Sequence, residues 1–245
     1  LPAKQDELYD LSQSINALLD RLQHAFQGEK QFSSDASHEL RTPLATLRGS
    51  LEVLLRKSRS QEEYESTIKS ALVQIDRMAN LSDQLLVLAR MDSEALNLSP
   101  QVLGIVIEEV LSSLHPVIQS KDLKVHLDLH QLESREIPGY FGTLIFQNLI
   151  GNAVKYSPES TELRIEATST NTGFTCTICD QGPGIPKEEQ EQVFQAFYRS
   201  PQAIQDGAPG SGLGLSIAQR AAEAIDARIE LQSEPGKGTC FHLHF

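Results

Sequence analysis

Two consecutive segments of this chain repeat their apolar residues at steps of three and four, and only a short polar stretch joins them. The first stripe is Ala36, Leu40, Leu44, Leu47, Leu51 and Leu54; the second, over about 61–92, is Tyr64, Ile68, Leu72, Ile75, Leu85 and Leu88. That spacing predicts two helices, each with one face turned inward. Lys57-Ser-Arg-Ser60 is short enough for an antiparallel helical hairpin. Two helices cannot enclose a core, so the pattern predicts that two copies pair into a four-helix bundle. Upstream, Leu8, Leu11, Ile15, Leu18, Leu22 and Ala25 are spaced like a coiled-coil seam, and that helix should run on toward residue 38.

Within the first stripe stands Ser37-His38-Glu39-Leu40-Arg41-Thr42-Pro43-Leu44. At the helical pitch His38 points roughly 160° from the middle of the stripe, with Thr42 one turn on along the same outward face. A structural histidine would lie on the stripe; this one is presented outward. A His-Glu pair alone is most often a solvated surface pair, so its meaning depends on the rest of the chain. Pro43 removes one backbone hydrogen bond just after the histidine, and a kink is expected there.

Beyond Asn97-Leu-Ser-Pro100, which reads as a linker, helix and strand patterns mix. Helices are expected over 102–114, 142–155 and 218–224, and strands over 124–130, 163–170, 173–179, 229–233 and 239–245. Two of the turns are Asn171-Thr-Gly173 and Glu234-Pro-Gly-Lys-Gly238. Helices over one face of a largely antiparallel sheet make an α/β sandwich.

Four scattered motifs in this half suit a nucleotide. Asn148 and Asn152 lie one turn apart on one helix face with Lys155 adjacent. Amide oxygens are hard ligands for Mg²⁺, and the lysine is a point charge for phosphate. Cys179-Asp180-Gln-Gly182-Pro-Gly184-Ile185 ends a strand in a carboxylate that can accept from adenine's exocyclic amine, with glycines that let the backbone approach the base. It is no dinucleotide fingerprint, since the third glycine and the later acidic residue do not fit. Gly210-Ser211-Gly212-Leu213-Gly214-Leu215 opens a helix whose amides can cradle phosphate, and the Pro/Gly-rich 200–210 before it suits a movable lid. Gly236-Lys-Gly-Thr239 is not a Walker loop, because Lys237 is followed by glycine.

Taken together, His38 to Leu44 resembles the H-box of the sensor histidine kinases of bacterial two-component systems. The later motifs, with Phe194-Gln-Ala-Phe197-Tyr-Arg199, resemble that family's N, G1, F, G2 and G3 boxes in order and spacing. Asp6-Glu7, Leu11, Asn16 and Leu22 resemble the second helix of a HAMP relay module. The resemblance implies a partial HAMP helix over 1–28, a dimerisation and histidine-phosphotransfer hairpin over 29–95, and a catalytic ATP-binding domain of the Bergerat/GHKL type over 96–245. It implies ATP and Mg²⁺ as cofactors, with Asn152 on the metal. Asn148, Lys155, Tyr156, Asp180, Gly182, Gly184, Ile185, Arg199, residues 210–215 and Thr239 would form the nucleotide site. It implies autophosphorylation of His38, oriented by Glu39, with Arg41 near the phosphohistidine. Transfer to an aspartate of a response regulator follows, and Thr42 would position water for the reverse phosphatase reaction. One departure is Tyr140, where the family commonly carries a helix-capping Asp; Ser211 replaces a common Thr and keeps the hydroxyl.

A scaffold that binds nucleotide but transfers nothing would have lost Glu39 or the asparagines, which are present. An ATP-driven chaperone or clamp of the same ATPase fold would lack the hairpin that displays His-Glu. The net charge of −12 over 245 residues argues against nucleic acid as a partner. Leu1 is neither a methionine nor part of a signal peptide, so the chain reads as a fragment of a longer protein; the resemblance implies a cytoplasmic fragment of a membrane protein whose membrane segments precede it. The three cysteines, Cys176, Cys179 and Cys240, form no metal-ligand pattern and are expected to be buried free thiols in a reducing cytoplasm.

Overall fold

The computed structural model describes residues 7–91, 99–130, 132, 134–171, 173–208 and 210–245. Of the positions named above, Leu1, Asp6, Asn97, Leu98, Thr172 and Pro209 lie outside these, as do the side chains of Glu7, Leu8 and Ala25. The chain divides into two compact units, one ending at Asn80 and one running from Leu81 to Phe245.

The first unit is helical. Helix α1 spans Glu7–Leu55 and continues through Pro43. A five-residue polar turn follows, and α2 spans Gln61–Arg90. Ser60 sets the start of α2 by a reciprocal cap: the Glu63 amide donates to Ser60 Oγ at 3.2 Å, and the Ser60 amide donates to Glu63 Oε2 at 3.1 Å. Two otherwise orphaned donors are thereby satisfied, so the chain can turn sharply at that point. Leu54 and Ala71 are buried, whereas Leu44, Leu51, Tyr64, Ile68, Leu72 and Ile75, expected to face inward, are exposed in the single chain. Two helices offer no third wall, so a face of this kind stays open until something covers it. No described helix is long and apolar enough to cross a membrane.

The second unit places helices on one face of a five-stranded sheet. After β1 (Pro100–Val102) come α3 (Leu103–Ser120), β2 (Lys124–Asp128), β3 (Glu136–Pro138), α4 (Gly139–Tyr156), β4 (Glu162–Ser169) and β5 (Phe174–Asp180). Then follow α5 (Pro201–Gln205), α6 (Gly214–Glu223), β6 (Arg228–Glu234) and β7 (Gly238–His244). Strand order is β2-β4-β5-β7-β6, parallel only between β2 and β4. The expected linker is in part structured: Pro100–Val102 pairs antiparallel with Glu136–Pro138. A three-residue strand carries too few alternations to be legible as one.

Alternation along the strands sends Leu163, Ile165 and Ala167, then Phe174, Cys176 and Ile178, then Phe241 and Leu243 into the core beneath α3, α4 and α6. Helix α4 is the centre of that layer, with Ile145, Phe146, Leu149, Ile150 and Ala153 wholly buried. Tyr140 does not cap α4. It lies in the first turn, packs partly buried against the core with its ring edge-on to Phe141, and Pro138 holds the cap position without a side-chain bond. At the other end Lys121 Nζ donates to the carbonyls of Val154, Lys155 and Ser157 at 2.6–3.0 Å. Those carbonyls carry the negative end of the helix dipole, so a cation is well placed there. Burial holds the Lys121 ammonium below its ordinary pKa, against the pull of Glu159.

The cysteines depart from expectation. Cys179 and Cys240 oppose each other across β5 and β7 and form a disulfide, while Cys176 is free and buried, its thiol pushed up to about 12 by desolvation. Three positions apart on a strand, Cys176 and Cys179 point to opposite faces, and the free-thiol expectation fails for the two whose partner lies 61 residues away.

Phe146→Ala should cost about 3–5 kcal/mol, the usual range for emptying a fully buried aromatic site. Urea unfolding of the whole chain, followed by circular dichroism, measures it.

Candidate functional site

The end of β5 breaks an apolar rule. Phe174, Cys176 and Ile178 alternate into the core, and the next inward position is Asp180, only 8% exposed. Its Oδ1 accepts from the Gly182 amide at 2.7 Å. Desolvation pushes the carboxyl up to about 6 despite lowering bonds from the amides of Gly182 and Thr239. A carboxylate held in so dry a place with few partners is poised to accept from something else.

Asp180 lines a cavity of about 590 Å³. Asn148, Asn152, Lys155 and Tyr156 of α4 line it too, as do Gly184, Ile185, Arg199, Gly210, Ser211, Gly212, Gly214, Leu215 and Thr239. The two remaining expected residues stand behind it: Gly182 supplies the amide that holds Asp180, and Leu213 is fully buried under the start of α6.

Local chemistry explains each wall. The buried stripe of α4 points Asn148, Asn152 and Lys155 the other way, toward the cavity. Asn148 Nδ2 is tied to the Leu144 carbonyl at 2.7 Å, which turns Oδ1 toward Gly214. Lys155 Nζ donates to the Tyr156 hydroxyl at 2.9 Å and lies 4.4 Å from that ring's centre. Arg199 bonds the Ala208 carbonyl through Nη2, yet its buried Nε has no partner. Both cations line the cavity. At Gly212, φ is +77° and a Cβ would meet the backbone of Phe197 at 2.6 Å, so the loop before α6 can lie this close only as glycine. The Phe197 amide in turn donates to the Gly212 carbonyl at 3.0 Å. The expected lid stretch contains α5, which Ser200 caps through the Ala203 amide at 3.2 Å.

Three supporting residues belong to no motif. Ser233 Oγ accepts from the Ile185 amide at 2.8 Å, donates to the Gly238 carbonyl at 2.9 Å and sits 2.9 Å from Thr239 Oγ1. Gln190 Nε2 bridges the carbonyls of Ile185 and Ser233 at 3.0 and 2.9 Å. Gln84, in the part of α2 belonging to this second unit, accepts from Ser211 Oγ at 2.6 Å. Only Ser233 left a trace in the sequence, as a hydroxyl on the inward register of a strand.

The four remaining residues lie on α1, in the first unit. His38, Glu39, Arg41 and Thr42 are all exposed. Thr42 Oγ1 donates to the His38 carbonyl at 3.2 Å, so its hydroxyl lies over the turn that bears the imidazole.

Residues 29–94 match the His Kinase A (phospho-acceptor) domain, and residues 143–245 match the ATPase domain shared by histidine kinases, DNA gyrase B and HSP90. The chain is 37% identical over 236 residues to the sensor protein kinase PmrB of Pseudomonas aeruginosa, covering 95% of this chain and 47% of that protein. It is 30% identical over 257 residues to the signal transduction histidine-protein kinase ArlS of Staphylococcus aureus, covering all of this chain and 55% of that protein. This chain belongs to the histidine kinases. It spans about half the length of these curated relatives. The fold is that of the Acinetobacter baumannii histidine kinase AdeS, with a TM-score of 0.67 at 24% identity over 84% of this chain and 96% of that one. It is also that of the histidine kinase ThkA solved in complex with the response regulator TrrA, with a TM-score of 0.71 at 19% identity over 97% and 67%.

In this histidine kinase, the raised pKa of Asp180 means that ionising it opposes folding. The protonated form's advantage is fully present below the unfolded pKa near 4 and is lost as pH rises through about 6. Asp180→Asn should therefore stabilise the protein at pH 8 by roughly 1–3 kcal/mol and change little at pH 4, as read by thermal melts across that range.

Proposed function

We propose that this protein is an ATP-dependent protein-histidine kinase that phosphorylates itself on His38 and passes the phosphoryl group to an aspartate of a response regulator. The observation that carries this reading is one cavity bordered by a dry carboxylate, two amide side chains, two cations and a glycine loop. An exposed His-Glu pair stands on a helix of the same chain.

Each part has a role. Asp180 accepts from adenine's amine, with Gly182, Gly184 and Ile185 along the base and the Ser233–Gln190 bonds holding that strip in place. The partnerless Nε of Arg199 and the nearby Lys155 ammonium fit an anionic polyphosphate, as does the space a Cβ at Gly210 would take 2.8 Å from Lys155 Nζ. Asn152 supplies an oxygen donor for Mg²⁺, with Asn148 beside it. When bound, the ion screens the phosphate charges. At His38 one ring nitrogen attacks the γ-phosphorus, the bond from γ-phosphorus to the β–γ bridging oxygen breaks, and ADP leaves. Glu39 accepts from the other ring N–H and stabilises the positive charge that builds on the ring. Arg41 attends the phosphohistidine, and Thr42 orients water when the regulator is dephosphorylated.

For these roles the chain divides into a signal-relay helix over 1–28, a phosphotransfer hairpin over 29–95 and a catalytic domain over 96–245. The open apolar face of the hairpin, with Ile68, Leu72 and Ile75 exposed, supports pairing of two copies into a four-helix bundle. Pro43 offers a place for α1 to bend between signalling states. Membrane spans in segments preceding Leu1 would anchor the protein, leaving this part cytoplasmic.

Incubation with γ-labelled ATP and Mg²⁺ should give acid-labile label that is absent from His38→Gln; label persisting in that variant would overturn the assignment. Asn152→Ala should slow labelling by about 100-fold or more, the scale of losing a group that holds charge at a reacting centre. Thr42→Ala should label at the normal rate but dephosphorylate its regulator slowly, and an unchanged phosphatase rate would remove Thr42 from that role.

A further inference from the structure

The disulfide occupies a telling place in the ladder. Cys179 pairs with Cys240, and the next rung of the same two strands pairs Asp180 with Thr239. The Cα atoms of the two cysteines are 4.1 Å apart. Because side chains alternate, the sulfurs lie on the open face of the sheet while Asp180 and Thr239 point from the other face into the nucleotide cavity. Both cysteines are partly exposed, in contrast to buried Cys176. Their neighbours on that open face are polar: Arg164 faces Cys179 from β4, Gln232 faces Cys240 from β6, and Thr177 bonds His242 one pair along. Arg164 is shared with Glu162 and Glu166, each at 3.6 Å.

We propose that Cys179 and Cys240 form a thiol–disulfide exchange site for low-molecular-weight thiols and disulfides, and that its redox state sets the affinity of the nucleotide cavity behind it. The inference rests on the reading of that cavity as an ATP site. In the reducing direction an external thiolate attacks Cys240 Sγ, the Sγ–Sγ bond breaks, and Cys179 leaves as a thiolate on the rung it shares with Arg164. A second external thiol resolves the mixed disulfide, so the protein gains two electrons and two protons and the small thiol is oxidised to its disulfide. A leaving thiol stabilised by a neighbouring cation departs more readily, which favours this order.

The coupling to nucleotide is short. The crosslink fixes the spacing of β5 and β7 one residue from both Asp180 and Thr239. In the disulfide form those two groups are already placed for the base; in the dithiol form part of that ordering is completed on binding, at a cost in affinity. A reducing compartment holds the dithiol, so oxidation would tighten nucleotide binding on the same protein.

The test measures binding of a non-hydrolysable ATP analogue to the whole chain by calorimetry, after treatment with either glutathione disulfide or dithiothreitol. Thiol counts by alkylation and mass spectrometry accompany each sample. The expected result is about three- to tenfold weaker binding in the reduced form, reversed on reoxidation. Cys179→Ser/Cys240→Ser should bind like the reduced protein and ignore both reagents, while Cys176→Ala keeps the response; Cys179→Ala/Cys240→Ala, checked by circular dichroism, covers the case in which the serine pair misfolds. Equal affinity in the two redox forms, or a pair that neither reagent converts, overturns the redox inference while leaving the ATP reading intact. Failure of both forms to bind the analogue overturns the ATP reading instead.

Discussion

Everything at the nucleotide cavity depends on which way α4 is turned. Five wholly buried side chains, from Ile145 to Ala153, lock one face of that helix against the sheet, α3 and α6. A rotation of even one residue would put an asparagine or a lysine into that interior, where an unpaired polar group costs several kcal/mol. The same burial therefore fixes the direction of Asn148, Asn152 and Lys155, and bonds to the Leu144 carbonyl and the Tyr156 hydroxyl hold the first and the last. Packing makes the fold and aims the chemistry in one act.

The opposite wall is built by β-register rather than by helical packing. Asp180 sits at the inward place that Phe174, Cys176 and Ile178 define, so the sheet carries a carboxylate into a position that its own pattern reserves for hydrocarbon. That placement costs stability, a cost of the kind that functional sites carry. Ser233 and Gln190 keep the adjoining strip of backbone from drifting, with four hydrogen bonds among Ile185, Ser233 and Gly238. Helix and sheet thus contribute different kinds of certainty to one cavity.

Most of this was legible in the residues because it was local. The outward direction of His38 and Thr42 follows from counting steps of three and four, and both side chains are exposed. The strands over β4 to β7 and the helices α4 and α6 were expected within a few residues of their ends, since alternation and periodicity need only a short window. What escaped was non-local or too brief to show a period. The Cys179–Cys240 pairing depends on which strand lies beside β5, and a sequence separation of 61 hides that. The pairing of β1 with β3 spans three residues a side. Tyr140 was expected at a helix cap, but Pro138 takes the cap and Tyr140 packs its ring instead. Gln84 reaches the glycine loop from a helix that its sequence assigns wholly to the hairpin.

Lys121 governs the turn after α4. One ammonium gathers three carbonyls at the place where Lys155 and Tyr156 leave the helix. The peptide groups next to the cavity-lining Lys155 are thus clamped from behind by a residue that does not line the cavity. Chemistry that erased this charge, such as acylation of the amine, would unfasten the helix end and let Lys155 wander, reshaping the cavity from the far side of its own wall.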